Sequence, residues 1–259
     1  MILISVLLIL VVLIIFAIIK YFDKQINSTL KPILIIASWL LTFVFGYLIY
    51  DTIQEPIRFD ELKDKRYTAA VKAMIDLKTA QQAYKSKRGK FTTNLDSLIN
   101  FIETEKFVII ERRDTAVIDA AKNARYGISV GADGVGGYFK DVVITKELGQ
   151  ISVKDSLFKG SDRYKRLDQA IIPGIKDPVK IEMKTDVLEK GEGEIKFKVP
   201  VFEAKIHKNK LLADQNQQFV KDELKLKSVE GINGEEIILG SLEETNLVGN
   251  WPKKYGRNE

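Results

Sequence analysis

Cysteine is absent from the 259 residues. A disulfide framework and a thiolate zinc site are therefore excluded. Histidine occurs once, as His207. A Ser-His-Asp or Cys-His centre must use that residue or do without, and with one histidine and no cysteine a transition metal has few ligands to draw on. His207 follows Lys205 and precedes Lys208. No acid next to it in sequence is placed to orient it, so it reads as a solvated surface side chain. Ser161-Asp-Arg-Tyr164 is not part of a Ser-x-x-Lys nucleophile. The glycine-rich stretch Gly131 to Gly137 (GADGVGG) lacks the Gly-Lys-Ser/Thr ending of a P-loop and reads as a flexible turn. Asp133 within it cannot make a calcium site alone, since calcium needs several oxygen ligands. Glu192, Glu194 and Glu235 would serve a glycosidase only if two carboxylates shared one cleft; all fall in expected turns, where solvated carboxylates are the default. The sequence thus offers no catalytic residue, no metal ligand set and no cofactor site, and predicts a non-enzymatic protein.

Charge is missing from two stretches. Neither Ile2 to Ile19 nor Pro32 to Tyr50 contains an Asp, Glu, Lys, Arg or His. Each is about the length that crosses a hydrocarbon core of roughly 30 Å as a helix. A soluble core helix of that length normally shows a polar stripe, and a secretory signal would have a shorter apolar region behind basic residues. The expectation is a transmembrane helical hairpin, with helices at about 2–19 and 32–50. Trp39, Tyr47 and Tyr50 suit the membrane interface, and Ala37, Ser38 and Gly46 suit close helix packing. With no ionisable group inside either run, an ion or proton pathway is disfavoured, and the hairpin reads as an anchor.

The connecting loop holds Lys20, Lys24 and Lys31 against Asp23. Cations near helix ends stay cytoplasmic, which predicts a two-pass bacterial inner-membrane protein with both termini periplasmic. Arg58, Lys63, Lys65 and Arg66 follow the second run, but a long domain is exported largely regardless of charge. The net charge of +5 is modest, and lysines alternate with acids along the chain. No basic arm with interleaved aromatics points to nucleic acid.

After the hairpin, residues 51–105 read as a juxtamembrane segment containing Pro56 followed by a helical stalk. Ala70, Met74, Leu77, Gln81 and Tyr84 recur at helical spacing, flanked by Val71, Ala73 and Ala80, with Lys72, Asp76, Lys78 and Lys85 off the stripe. Gly89 is placed as a C-terminal cap. Asn94 is placed as the N-cap of a short helix whose Leu95, Leu98, Ile99 and Ile102 face inward.

Residues 106–259 read as a mainly antiparallel β domain with short helices. Strands are expected at Phe107 to Glu111, at Tyr138 to Thr145, and at Gln150 to Val153 after a turn at Gly149; Asp114 to Tyr126 is ambiguous. A short helix is expected over Asp162 to Ala170. Val179 to Val187 and Ile195 to Val199 alternate apolar and charged residues about a turn holding Gly191 and Gly193, the pattern of a half-buried hairpin. Pro200 predicts a bulge or strand end, with the inward phase resuming at Phe202, Ala204 and Ile206. A helix is expected from Leu211 to Glu223. Leu224 to Val229 should then pair with Glu236 to Leu242 through Asn233-Gly234. The tail, Asn250 to Glu259, reads as loose apart from Trp251. Helices followed by an antiparallel sheet make the fold class α+β.

The stretch Ala69 to Ile102 (AAVKAMIDLKTAQQAYKSKRGKFTTNLDSLINFI) resembles the start of a type II secretion pseudopilin or type IV pilin head, through Ala80, Gln81, Gln82, Tyr84, Gly89, Phe91, Leu95 and Leu98. The resemblance implies a layout of membrane helix, helical stalk and sheet-bearing head. The chain departs from it in having two apolar runs and neither the basic leader nor the glutamate of a pilin. VKDSLFKGSDRY and GSLEETNLVGNW look like stretches of uncharacterised bacterial two-pass envelope proteins. The functional expectation is a structural or scaffolding component of an envelope machine, such as a secretion, motility or pilus-like apparatus. Its partners would be the lipid bilayer and other envelope subunits, a homo-oligomer included. The alternatives are a periplasmic ligand- or cell-wall-binding sensor and, behind it, a carboxylate-based hydrolase.

Overall fold

The computed structural model describes residues 2–21, 30–129, 136–191 and 196–256. Its first helix, α1, spans Ile2–Tyr21, and the second, α2, runs unbroken over 59 residues from Leu30 to Arg88. At about 1.5 Å per residue, α2 is roughly 90 Å long. Among the described residues it is the one helix long and apolar enough to cross a membrane, and none of its apolar window is buried in the protein. Where the sequence predicts two spans, the described residues thus supply one, and most of the linking loop, with Lys24 in it, lies outside them. The break expected near Pro56 does not occur. Proline removes a single N–H, the one that would reach the carbonyl of Thr52, and the helical residues on both sides carry the helix past it.

The second half of α2 is the spine of the head. Ala70, Val71, Met74, Leu77, Ala80 and Gln81 have no exposed surface, as the stripe predicted, while Ala73 and Tyr84 are partly buried and Tyr67, one turn earlier, is fully buried. Lys78, expected on the solvated side, is buried as well. Gly89 ends the helix at φ 73°, and its N–H donates to the Lys85 carbonyl at 2.8 Å. Asn94 caps α3 (Leu95–Thr104), its Oδ1 accepting from the Ser97 N–H at 2.9 Å, and Leu98, Phe101 and Ile102 turn inward.

Strand β1 (Lys106–Ile118) is longer than predicted and takes up the first part of the ambiguous stretch; α4 (Ala120–Arg125) takes up the rest. The two strands expected around Gly149 are one, β2 (Phe139–Ser152). What looked like a turn is a bulge. Ile109 pairs with Gly149 and Ile110 with Glu147, leaving Leu148 as the extra residue. β1 and β2 form a two-stranded antiparallel arm.

After α5 (Val153–Phe158) comes a 3-10 turn, Asp162–Arg166, shorter than the helix expected there, and then β3 (Gln169–Ala170), which pairs with β4 (Val179–Lys180). The predicted hairpin forms as β5 (Glu182–Lys190) and β6 (Phe197–His207). Its turn, with Gly193, lies outside the described residues. The strand does not end at Pro200, which pairs with Val187 in register. The Pro200 carbonyl receives the Lys85 ammonium, so that residue's backbone polar groups face away from β5. On that side β7 (Glu236–Ser241) pairs only from Phe202 onward. The missing N–H therefore costs no ladder bond.

The helix expected over Leu211 to Glu223 is two, α6 (Lys208–Leu212) and α7 (Gln217–Leu224), broken where Asn216 caps the second. β7 pairs with β6, giving the order β5-β6-β7. Residues 225–229 form no strand; the Asn233 side chain instead accepts from the Ser228 N–H. The tail is not loose as far as Gly256, because Trp251 and Tyr255 are buried in the core beside α2. The result is α+β, with one core shared by α2, α3, α5 and the β6–β7 sheet.

Candidate functional site

The sequence candidates do not converge. His207 is part-exposed and its Nε2 lies 3.0 Å from Glu236 Oε1 on the paired strand. The acid missing from its sequence neighbourhood is thus supplied across the sheet by the register His207↔Glu236. Lys205 bridges to both Glu203 and Glu236, completing a surface charge ladder around the pair. Ser161 caps the 3-10 turn, accepting from the Arg163 N–H. Glu235 contributes its backbone carbonyl to the Lys208 N–H. Glu192, Glu194 and most of the Gly131 to Gly137 stretch lie outside the described residues. Among the described residues no cluster of His, Asp and Glu could hold a metal ion.

A concavity of about 690 Å³ lies where α2 meets the 3-10 turn and β3. Lys72, Arg163, Lys165 and Arg166 line it with Asp76 and Asp162. Its two carboxylates are both engaged. Asp76 meets the Arg163 Nε at 3.3 Å, and Asp162 meets Lys165 at 3.5 Å and Lys154 at 3.6 Å. Burial raises the Asp76 carboxyl above its usual range, against the pull of Arg163 and Lys72. Among the described residues no aromatic side chain lines the groove, which leaves a sugar ring no stacking surface there.

Deeper in the head lies a charge network that the sequence pattern did not reveal. Arg66 is buried, and its guanidinium grips Asp214 with two bonds of 2.5 and 2.7 Å while donating to the carbonyls of Leu211 and Pro173. The Arg66 hydrogen bond holds the Asp214 carboxyl down at about 2. Lys208, with no exposed surface, donates to the Glu223 side chain and to the carbonyls of Glu223 and Ile232. Its pKa is lowered by burial, against the pull of Glu223. Glu223 also accepts from the Tyr67 hydroxyl and from Lys63. Each partner is satisfied by the others, so the network reads as a clamp between the stalk and α6–α7. One cue was present in sequence: Lys63, Arg66 and Tyr67 fall on the face that Ala70 and Met74 continue.

The remaining feature is the arm. β1 and β2 extend for about 43 Å at strand rise and, among the described residues, pair only with each other. Val108, Ile109, Ile110, Ile118, Phe139, Val143, Ile144 and Leu148 are all exposed along it. At its tip the buried Asn123 exchanges two hydrogen bonds with the backbone of Tyr138, at 2.6 and 3.0 Å, which ties α4 to β2. Strand length is what the sequence reading missed, because Glu111 to Asp114 interrupt the apolar alternation. No family model, curated protein or solved structure matches this chain.

Proposed function

We propose that the chain is a non-enzymatic, membrane-anchored scaffolding component of a bacterial envelope machine, of the secretion, motility or pilus-like kind. In this reading α1 and the start of α2 form a two-pass inner-membrane hairpin, and the head stands in the periplasm with both termini. The observation that carries it is the continuity of α2. A single helix leaves an apolar span with no buried residue and becomes, without a hinge loop, the spine of the head's core. A displacement of the head is thereby delivered to the bilayer as motion of a stiff rod, which suits a load-bearing part better than a tethered catalyst. The pilin-like layout of stalk and sheet-bearing head agrees with this proposal.

The groove gives less support to a wall-binding sensor, since it offers no aromatic platform, and less to a hydrolase, since both its carboxylates are ion-paired. Two measurements test the proposal. A cysteine placed at Lys190, in a chain that has no other, should react with an impermeant maleimide in intact spheroplasts; labelling only after lysis would move the head to the cytoplasm. Gentle detergent extraction should bring out a defined assembly, and a lone monomer would remove the scaffold role.

A further inference from the structure

We propose that the β1 edge of the arm pairs with the β1 edge of a second copy of this chain, antiparallel about a two-fold axis centred on Arg113. This names one partner of the scaffold proposed above and rests on that reading only for its cellular setting.

A two-stranded ribbon with apolar side chains on both faces is marginal in water; three or more strands are needed for independent stability. The arm's two outer edges are unpaired among the described residues. The edges are not equivalent. β2 carries the Leu148 bulge and Gly149, devices that blunt an edge, whereas β1 runs for 13 residues with neither proline nor glycine. β1 is therefore the edge open to pairing, and joining two copies there gives one four-stranded sheet.

The register follows from symmetry and charge. A two-fold axis normal to the sheet must place one residue opposite its own copy, because paired residues share a face. Centring on Arg113 sets Arg112 opposite the partner copy's Asp114, twice. It also sets Val108 opposite Ile118, Ile109 opposite Val117 and Ile110 opposite Ala116. Arg113 meets its own copy, flanked diagonally by Glu111 of the other strand, within reach of a long side chain. Centring one residue earlier, on Arg112, pairs Glu111 with Arg113 but sets Asp114 against Ile110, without a facing cation; centring on Glu111 sets it against Val108; centring on Asp114 sets Arg112 against Ala116 and Glu111 against Val117, leaving neither charge a facing partner. Within the arm itself Arg112, Arg113 and Asp114 face Thr145, Ile144 and Val143. None of the three makes an ion pair among the described residues. Their charges are thus free to set the register of an outside strand.

The test uses the full chain purified in detergent, with single cysteines introduced by substitution. Arg113→Cys should form a disulfide-linked dimer on mild oxidation, since facing Cα atoms in an antiparallel pair lie about 4.5–5.5 Å apart. Arg112→Cys and Glu111→Cys, each displaced from its own copy, should link at least about tenfold more slowly. Without cysteines, Arg112→Asp should weaken the dimer on the order of tenfold, as two attractive cross-strand pairs become repulsive, and adding Asp114→Arg to the same chain should restore it. A monomer at micromolar concentration, a dimer in which Arg113→Cys links no faster than its neighbours, or a charge swap that fails to restore association would each overturn the proposal. Arm-independent dimers made by the membrane helices fall under the second outcome. Whether the head labels from outside the cell has no bearing on these results, and a defined assembly in which Arg113→Cys links no faster than its neighbours overturns the pairing while leaving the scaffold role standing, so the two proposals can be told apart.

Discussion

Glu223 holds two cations in a place with almost no water. Its side chain is 5% exposed and meets Lys208 at 3.1 Å and Lys63 at 3.2 Å. Removing its charge leaves Lys208, which has no exposed surface, without an anion. Breaking a buried pair from one side costs about 3–5 kcal/mol. Glu223→Gln should therefore lower the urea midpoint well below that of Lys63→Met, whose cation sits at the rim of the network. Equal losses in the two variants would show that Lys208 is satisfied by backbone carbonyls alone. Asp214 makes a separate, pH-dependent contribution. Arg66 lowers its carboxyl to about 2, so the folded state prefers the ionised form. The stabilisation is complete above the ordinary aspartate range and is lost as pH falls from about 4 towards 2. Asp214 is half-exposed, and solvent screening keeps the effect small. In acid melts Asp214→Asn should flatten that part of the stability curve while lowering stability at neutral pH. Beyond the helical spacing of Lys63, Arg66 and Tyr67, this network was not legible in sequence, because the links from α2 to Asp214 and Glu223 join residues more than a hundred positions apart and follow no spacing rule.

Elements set by local chemistry were legible; elements set by a distant partner were not. The Asn94 cap, the Gly89 stop and the inward face of α2 depend on residues within two turns, and each stands where the spacing put it. Asn94→Ala should cost about 1 kcal/mol, because Ser97 loses the acceptor for its N–H. A thermal melt that did not move would mean that water replaces the cap freely. The β segments were harder to read. Gly149 signals a turn in isolation, yet the neighbouring strand runs past it and turns the irregularity into a bulge. Pro200 signals a strand end, yet on one flank β7 has already stopped, so no ladder bond is lost there. Asn233-Gly234 signals a hairpin, but β7 finds a better partner in β6 than in residues 225–229. In each case sequence supplied the local preference, and the strand alongside decided what the preference became.

At the scale of the whole molecule, the apolar runs and the α+β class could be read directly, while the fusion of span and stalk could not. A proline between two patterns of different period looks like a joint, and only the helical residues on both sides of Pro56 show that it is not. One core joins the stalk stripe to the β domain, with Trp251 and Tyr255 from the tail closing over α2. That core has a sharp lower limit. Its first buried member is Phe59, and the side chains described before it contribute nothing to it. Head stability should therefore be independent of the apolar segment that precedes it. A fragment beginning at Asp51 should remain soluble without detergent, as far as the exposed arm allows at low concentration, and melt in a single cooperative transition. Its midpoint should lie close to that of the head in the full chain. The fragment's N-terminal turns, which include Pro56 and Glu55 with its hydrogen bond to Asn216, should fray first in hydrogen exchange, with protection rising from Phe59 onward. A fragment that melts far below the full chain would show that the apolar half of α2 holds the head together and is itself part of the fold.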